Sequence, residues 1–356
     1  HAALVAERFP DIPRRVSGYN LDDLLPGPDA DGSGFDLGKA LVGTESTLVT
    51  VLHAEIDLVT EARETALVVL GFDDVVAAAR SVPAILPHAP HFLECIDRVI
   101  VEFERAKGVH ERAMAAMPEG HSWLMVQIRD DDRERVDERA RALAADLAEH
   151  GPSILTVTDP AQQAELFGIR ESALAVSARD PLTGQDNYEG WEDAALPTDR
   201  LADYLAEWTA LVEEYGFTEG TAIYGHFGHG CIHTRIPFEL GTVEGIATYR
   251  SFMERSADLC VKYGGSLSGE HGDGQSRGEL LVRMYGPELV AAFESVKALF
   301  DPRNRMNPGK VVHPYRLDEN LHMGADYAPA QPATAFSYPS DEGRFTRAAE
   351  RCIGVG

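Results

Sequence analysis

Apolar and polar residues change texture several times along the chain, and each change marks an element. "TALVVLGF" (65–72) is an unbroken apolar run of strand length. The following "DDVVAAARSV" (73–82) has helical spacing, with Asp73 placed as a possible N-cap. "SWLMVQIR" (122–129) predicts a second strand, and "DDRERVDERARALAADLAEHG" (131–151) a helix closed by Gly151. "SILTVT" (153–158) predicts a third strand, and "DPAQQAELFGIRESAL" (159–174) a helix opened by Asp–Pro. This β-α then β-α-β order predicts an α+β fold, a ferredoxin-like antiparallel sheet with helices on one face.

The flanking regions are less regular. "HAALVAERFP" reads as helix, residues 10–27 are turn-rich, and "GPDADGSGFD" (27–36) is a loop dense in Gly and Asp. "ALVGTESTLVTVLHAEIDLV" (40–59) alternates β-branched and polar positions and predicts a strand pair ending near Val59. Further helices are expected over 199–215, 243–265 and 286–302, the last stopped by Pro302. Residues 320–345 have the Pro/Ala-rich composition of a linker. The expected division is 1–60 rejoined by 301–316, then 61–300, then 317–356 as linker.

Composition narrows the function classes. With 356 residues, two domains are expected at ~100–200 residues each. Apolar content of 44% supplies a sizeable core. The net charge of −26 argues against nucleic acid and anionic membrane as partners, because phosphates would be repelled over the surface. No apolar run approaches the ~20 residues of a membrane span. Cys95, Cys231, Cys260 and Cys352 are widely spaced, so a reducing cytoplasmic setting is expected. Cys95 and Cys260 sit in apolar stretches read as helical, and both are expected in the core together with Trp123, Trp191 and Trp208. Neither end has the texture of a natural terminus, and a fragment of a longer protein is expected.

Two clusters carry the candidate chemistry. In "GHFGHGCIH" (225–233), His226 and His233 would point to opposite faces of a regular strand. They converge only if the chain turns between them, a freedom that Gly228 and Gly230 supply. Two neutral imidazoles on converging strands make half of a Zn²⁺ or Mn²⁺ site, and a solvated glycine loop or core histidines are the plainer alternative. In "YGGSLSGEHGDGQSRGELL" (263–281), Glu270–His271 is flanked by glycines that let backbone approach a ligand. A helix-capping loop is the plainer reading there, and a phosphate loop is excluded by the glycine spacing. Together the clusters offer two histidines and a carboxylate with open positions, plus a neighbouring imidazole as general base.

"GHFGHGCIHTRI", "GGSLSGEHGDG" and "FDPRNRMNPGKVV", in this order, resemble the FAD-linked oxidases of the vanillyl-alcohol-oxidase type. The similarity is to their D-2-hydroxyacid dehydrogenase group, which includes D-lactate dehydrogenase, the glycolate oxidase FAD subunit and D-2-hydroxyglutarate dehydrogenase. "SGYNLDDLL" and "FDLGKALVGTESTLVTVLHAEIDLV" look like the end of that family's FAD-binding domain, with 61–300 as its C-terminal substrate domain. "LFGIRESAL" resembles its substrate-domain arginine segment, and "FTRAAERCIGVG" the entry to a fused iron–sulfur module.

The resemblance implies roles. His226, His233 and Glu270 would hold a divalent metal, zinc or manganese, at the substrate's carboxylate and hydroxyl. His271 would take the hydroxyl proton while hydride leaves for the flavin, and Arg170 would pair with the substrate carboxylate through its planar fork. Gly18, Tyr19, Asn20, Gly43, Thr44, Glu45, Thr47, Asn307 and Gly309 would lie along FAD. Electrons from a small D-2-hydroxyacid would pass through FAD to a 4Fe–4S domain of the parent protein and on to an acceptor. Any membrane association would be made through that acceptor.

Departures temper this. His229 stands where the family has Asp and Cys231 where it has Asn, and His229 is open between ligand, substrate contact and bystander. Ser46 replaces a usual glycine, and the glycine-rich pyrophosphate segment would lie upstream of His1. A weak or empty FAD site and no turnover are therefore expected of this chain by itself. Cys352 would be the first ligand of a following cluster, which one cysteine cannot bind. The rival readings are a metal-dependent hydrolase and a non-catalytic substrate-binding module.

Overall fold

The computed structural model describes residues 1–26, 35–148, 151–321 and 324–350. Helix α1 (Ala2–Arg8) and the single turn α2 (Leu37–Ala40) precede β1 (Glu64–Phe72). Then follow α3 (Val75–Ile85), β2 (Phe92–Asp97), α4 (Arg98–Lys107), α5 (Glu111–Ala116) and β3 (Ser122–Asp130). Next come α6 (Arg133–Ala148), β4 (Ser153–Val157), α7 (Pro160–Ser177), β5 (Asp193–Ala195) and α8 (Leu201–Glu214). β6 (Ala222–Gly225), β7 (Cys231–Arg235), α9 (Val243–Lys262), α10 (Leu281–Phe300) and α11 (Phe345–Glu350) complete the order.

Among the described residues, seven strands form one antiparallel sheet, in the order β4-β1-β3-β2-β6-β7-β5. The first four have the order that a ferredoxin-like β-α-β-β-α-β unit produces. Pairing of Cys95 with Gly225 and Ile96 with Tyr224 joins β6, and through it β7 and β5, to the open side of β2. The strands that carry the candidate ligands are thus an extension of the ferredoxin-like sheet.

Helices cover both faces of the sheet, not one. Ala66, Val68, Leu70 and Phe72 of β1 join a core with α3, α6 and α8. Leu67 and Val69, one residue out of phase, join a second core with α4 and α7. Side chains alternate along a strand, so burial on both faces requires an apolar residue at every position. That is why β1 reads as a continuous apolar run. The α4–α5 insertion between β2 and β3 escaped the sequence reading because Glu94 and Asp97 interrupt the apolar pattern. Both are buried. Asp97 accepts from Ile100 N at 3.1 Å, capping α4, and from Ile223 N at 2.8 Å, tying β6 to it. Cys95 lies on β2 rather than a helix, and is buried as expected, as are Cys260 and the three tryptophans.

Two further expectations change. The cap of α3 is Asp74, which accepts from Ala77 N at 2.8 Å, and not Asp73. No strand forms over residues 40–59, where Leu52, Leu58 and Val59 are each at least 90% exposed. The alternation there supplies strand propensity, but extended backbone needs a partner to satisfy its N–H and C=O groups, and none of the described strands pairs with it. The 27–34 loop and Cys352 lie outside the described residues.

The N-terminal segment packs on α10. Phe9, Tyr19, Tyr285 and Phe293 form an aromatic cluster with centroids 4.7–6.4 Å apart, and Tyr285 OH donates to Ser17 O at 2.8 Å. Past α10, residues 316–318 are tied to α9 through Asp318, whose carboxylate accepts from Arg250 Nε at 2.5 Å, Arg250 Nη2 at 2.9 Å and Arg316 Nε at 3.1 Å. The hydrogen bond from Arg250 holds the Asp318 pKa well below the usual carboxylate range. A depressed pKa stabilises the fold above the unfolded value and ceases to do so as pH falls through the folded one. Asp318→Asn is accordingly expected to cost about 1–3 kcal/mol near neutrality and to flatten stability below pH ~4. Urea melts of both proteins at several pH values check this; parallel curves would refute it. No described helix is long and apolar enough to cross a membrane.

Candidate active site

The histidine loop turns as its glycines require. After β6 the chain makes a 3-10 turn at Phe227–His229, with Cys231 N donating back to His226 O at 3.2 Å. Gly230 closes the turn at φ +68°, and a Cβ there would stand 1.9 Å from Leu196 O. Only glycine satisfies both demands. The turn brings His226 round to face His233 on β7, with ring centroids 5.2 Å apart.

Each imidazole is oriented from behind. His226 Nδ1 lies 2.7 Å from Glu94 Oε1, and His233 Nδ1 lies 3.3 Å from Glu192 O. Both Nε2 atoms then face one carboxylate oxygen, Glu270 Oε1, at 3.2 Å and 3.1 Å. Burial first, then the neighbouring charge on His271, lowers the His233 pKa to about 3, so this ring is neutral as a metal ligand must be. Two Nε2 atoms and a carboxylate oxygen at one point, with Nδ1 held on oxygen acceptors, are the donor set a divalent cation takes.

Asp193 builds the loop that delivers Glu270. Fully buried on β5 and paired in register with His233, it accepts from Glu270 N at 3.0 Å, His271 N at 2.8 Å and the Ser268 hydroxyl. Asp193, Cys231, His233 and Glu270 place ligand-type atoms within 4.8 Å of one another. The bonds already made by Asp193 give it the supporting role, and burial pushes the Cys231 thiol well up, away from thiolate. His271 stacks on His233 at 4.7 Å and 5°. Its Nδ1 is 3.5 Å from Glu192 Oε1 and its Nε2 is 3.6 Å from Glu270 Oε1. Burial opposes charge on His271, yet the Glu192 hydrogen bond and the charges of Asp193 and Glu192 outweigh it and raise its pKa. Glu192 is itself held by buried Arg277 at 3.0 Å.

Arg170 lies in the same site, but its guanidinium is engaged: Nε and Nη2 both stand 2.9 Å from Glu94 Oε2. Glu94 thereby bridges Arg170 and His226. Arg14 enters from the N-terminal segment, paired with Glu270 Oε2 and donating from Nε to His229 Nδ1 at 3.1 Å. Glu94, Arg14, Glu192, Asp193 and Arg277 escaped the sequence reading. The available signal was acids within apolar runs, "FLECID" and "GWEDAAL".

The residues expected along FAD gather beside the 268–274 loop. Gly18 N donates to Asp273 at 2.7 Å, Glu45 accepts from Asp273 N at 2.7 Å and Gly274 N at 2.8 Å, and Asn307 Nδ2 donates to Glu45 O at 2.7 Å. Tyr19 and Thr47 are buried and bonded to each other at 2.6 Å, while Thr44 caps its own turn through Leu41 O. Asn20 donates to Lys39 O and Val42 O, both at 3.2 Å. Gly43 and Gly309 take φ of +73° and +79°. Ser46 has φ +57°, a conformation that explains why glycine would suit that position. Most of these side chains are spent on the protein itself, and Asn307 and Ser46 are the exposed ones.

The structure is a sheet flanked on both faces, with a polar histidine–carboxylate site on its extension. Residues 61–311 match the family described as FAD linked oxidases, C-terminal domain, and the chain belongs to that family. It is 29% identical over 332 residues to a D-2-hydroxyglutarate dehydrogenase of Escherichia coli, covering 88% of this chain and 31% of that protein. It is 30% identical over 293 residues to a D-lactate dehydrogenase of Archaeoglobus fulgidus (79% of this chain, 59% of that protein). Similarity to a glycolate oxidase subunit GlcD of Bacillus subtilis is 25% over 290 residues, covering 79% and 58%. The chain thus spans about a third of the dehydrogenase from E. coli. The fold is shared with 4-ethylphenol oxidase from Gulosibacter chungangensis, at TM-score 0.51 and 13% identity over 72% of this chain and 55% of that one.

Proposed function

We propose that this chain carries the substrate site of an FAD-dependent dehydrogenase for small D-2-hydroxyacids. The observation that carries the reading is the convergence of His226, His233 and Glu270 with His271 stacked alongside. Bound flavin would supply the hydride acceptor, and a zinc or manganese ion a Lewis acid at the substrate oxygens.

The chain's own residues do the rest. His226, His233 and Glu270 hold the cation. Glu192 accepts a hydrogen bond from Nδ1–H of His271 and so keeps that proton in place, which leaves the Nε2 lone pair turned towards the ligand cluster to remove the hydroxyl proton. Arg170 contributes Nη1, the nitrogen that Glu94 leaves unused, to the substrate carboxylate. Asn307 and Ser46 form the accessible edge towards the flavin, with 1–60 and 301–316 as the end of the flavin-binding part and 61–300 as the substrate domain. The part that follows residue 316 would lead to an iron–sulfur domain that accepts the electrons singly.

The test joins this chain to the flavin-binding portion of one of its relatives and adds a D-2-hydroxyacid without oxygen. Bleaching of the flavin's visible absorbance by the D but not the L enantiomer is expected. A flavin that stays oxidised with D-lactate, glycolate and D-2-hydroxyglutarate would refute the reading.

A further inference from the structure

Arg14 and His229 meet at the edge of the ligand cluster, from segments 215 residues apart. The encounter is built. Val16 N donates to Ser268 O at 3.2 Å, Ser17 Oγ accepts from Ser268 N at 2.9 Å, and Ser17 Oγ donates to Asp273 at 2.9 Å. These bonds fix the strand of chain on which Arg14 sits against the loop that carries Glu270. Arg14 then faces Glu270 Oε2, the oxygen turned away from the two imidazoles.

Three features make this more than an ion pair. Arg14 uses Nε for His229 and Nη1 for Glu270, so Nη2 has no protein partner among the described residues. His229 accepts at Nδ1, and a neutral imidazole that accepts at one nitrogen carries its proton on the other. Its Nε2–H is therefore a second donor, on an exposed side chain. Arg170 gives both Nε and Nη2 to one carboxylate oxygen of Glu94. Arg14 shares Glu270 with the cation site and is 28% exposed.

We propose that Arg14, seated by His229, is a second anchor for the carboxylate next to the substrate's hydroxyl carbon. Its closeness to Glu270 places it at that carboxylate and not at a distal one. A five-carbon diacid and a two-carbon hydroxyacid would use it equally. His229, where the family resemblance would place Asp, then has a physical sense, because it orients Arg14 without adding a second carboxylate beside the one, Glu270, already paired with it. This inference rests on the proposed hydroxyacid site.

The test is oxalate binding by calorimetry to this chain, with and without one equivalent of zinc, beside zinc content by elemental analysis. Arg14→Gln is expected to weaken oxalate roughly ten- to hundredfold with zinc content unchanged. His229→Ala, at an exposed position that threatens folding less, is expected to weaken it by a smaller factor, and Arg14→Lys to recover part of the loss. Oxalate affinity unchanged in Arg14→Gln and His229→Ala overturns the proposal. Zinc lost in Arg14→Gln overturns it too, because Arg14 would then act only by positioning Glu270. If the unaltered chain takes up no zinc, the metal reading fails separately, and the zinc-free oxalate series still decides the role of Arg14.

Discussion

The unaltered protein is expected to carry about one divalent metal ion per chain, and the His226→Ala/His233→Ala double variant to lose essentially all of it. The two Nε2 atoms meet at Glu270 Oε1, 3.2 Å and 3.1 Å away, and nothing else among the described residues supplies both nitrogens. Glu270 with Asp193 and Cys231 would remain, but Asp193 is committed to Glu270 N, His271 N and Ser268, and the Cys231 thiol resists ionisation. Glu94→Gln is the graded companion. It leaves every ligand in place but weakens the acceptor behind His226, together with the pairing to Arg170, so a drop of about 10–100-fold in metal affinity is expected. Elemental mass spectrometry after dialysis reads the first, and competition with a chelating dye the second. A double variant that holds as much metal as the original would sink the ligand assignment.

The ferredoxin-like half of the sheet was legible because β1, β3 and β4 are largely apolar and because α3 and α7 open on Asp caps. Those signals are local. β2 was illegible for the opposite reason: Glu94 and Asp97 look like solvent-facing residues until the fold supplies Arg170, His226 and backbone donors to satisfy them. The segment ending at Val59 failed in another way. Its alternation speaks of a strand, but strand formation is decided by a partner that its own letters do not contain. The ligand loop was half legible. Gly228 and Gly230 announced a turn, and the turn exists. The supporting acids and Arg14 come from three other segments, and spacing within a motif says nothing about what approaches it from outside.

His271→Gln, in the protein joined to its flavin-binding part, is expected to slow flavin reduction by about 10²–10⁴-fold, with metal content and hydroxyacid binding kept. The argument is one of placement. His271 lies flat on His233 at 4.7 Å, so its Nε2 looks towards the same carboxylate oxygen as the ligand nitrogens, from 3.6 Å. It is nevertheless farther out than either ligand, and its side chain is 42% exposed where His233 is 6% exposed. A ring at that depth can exchange its proton with water after each turnover, which a base must do and a buried ligand need not. Glutamine keeps the size and a hydrogen-bonding tip but has no basic nitrogen, so a loss in rate without a loss in binding isolates proton removal. Undiminished reduction in His271→Gln would assign the proton elsewhere. Loss of metal in the same variant would make His271 a ligand and leave the base unassigned. Glu192→Gln separates the remaining possibilities. If Glu192 fixes the Nδ1 proton, its loss slows reduction by a smaller factor than His271→Gln, and the two changes together slow it no further than His271→Gln does.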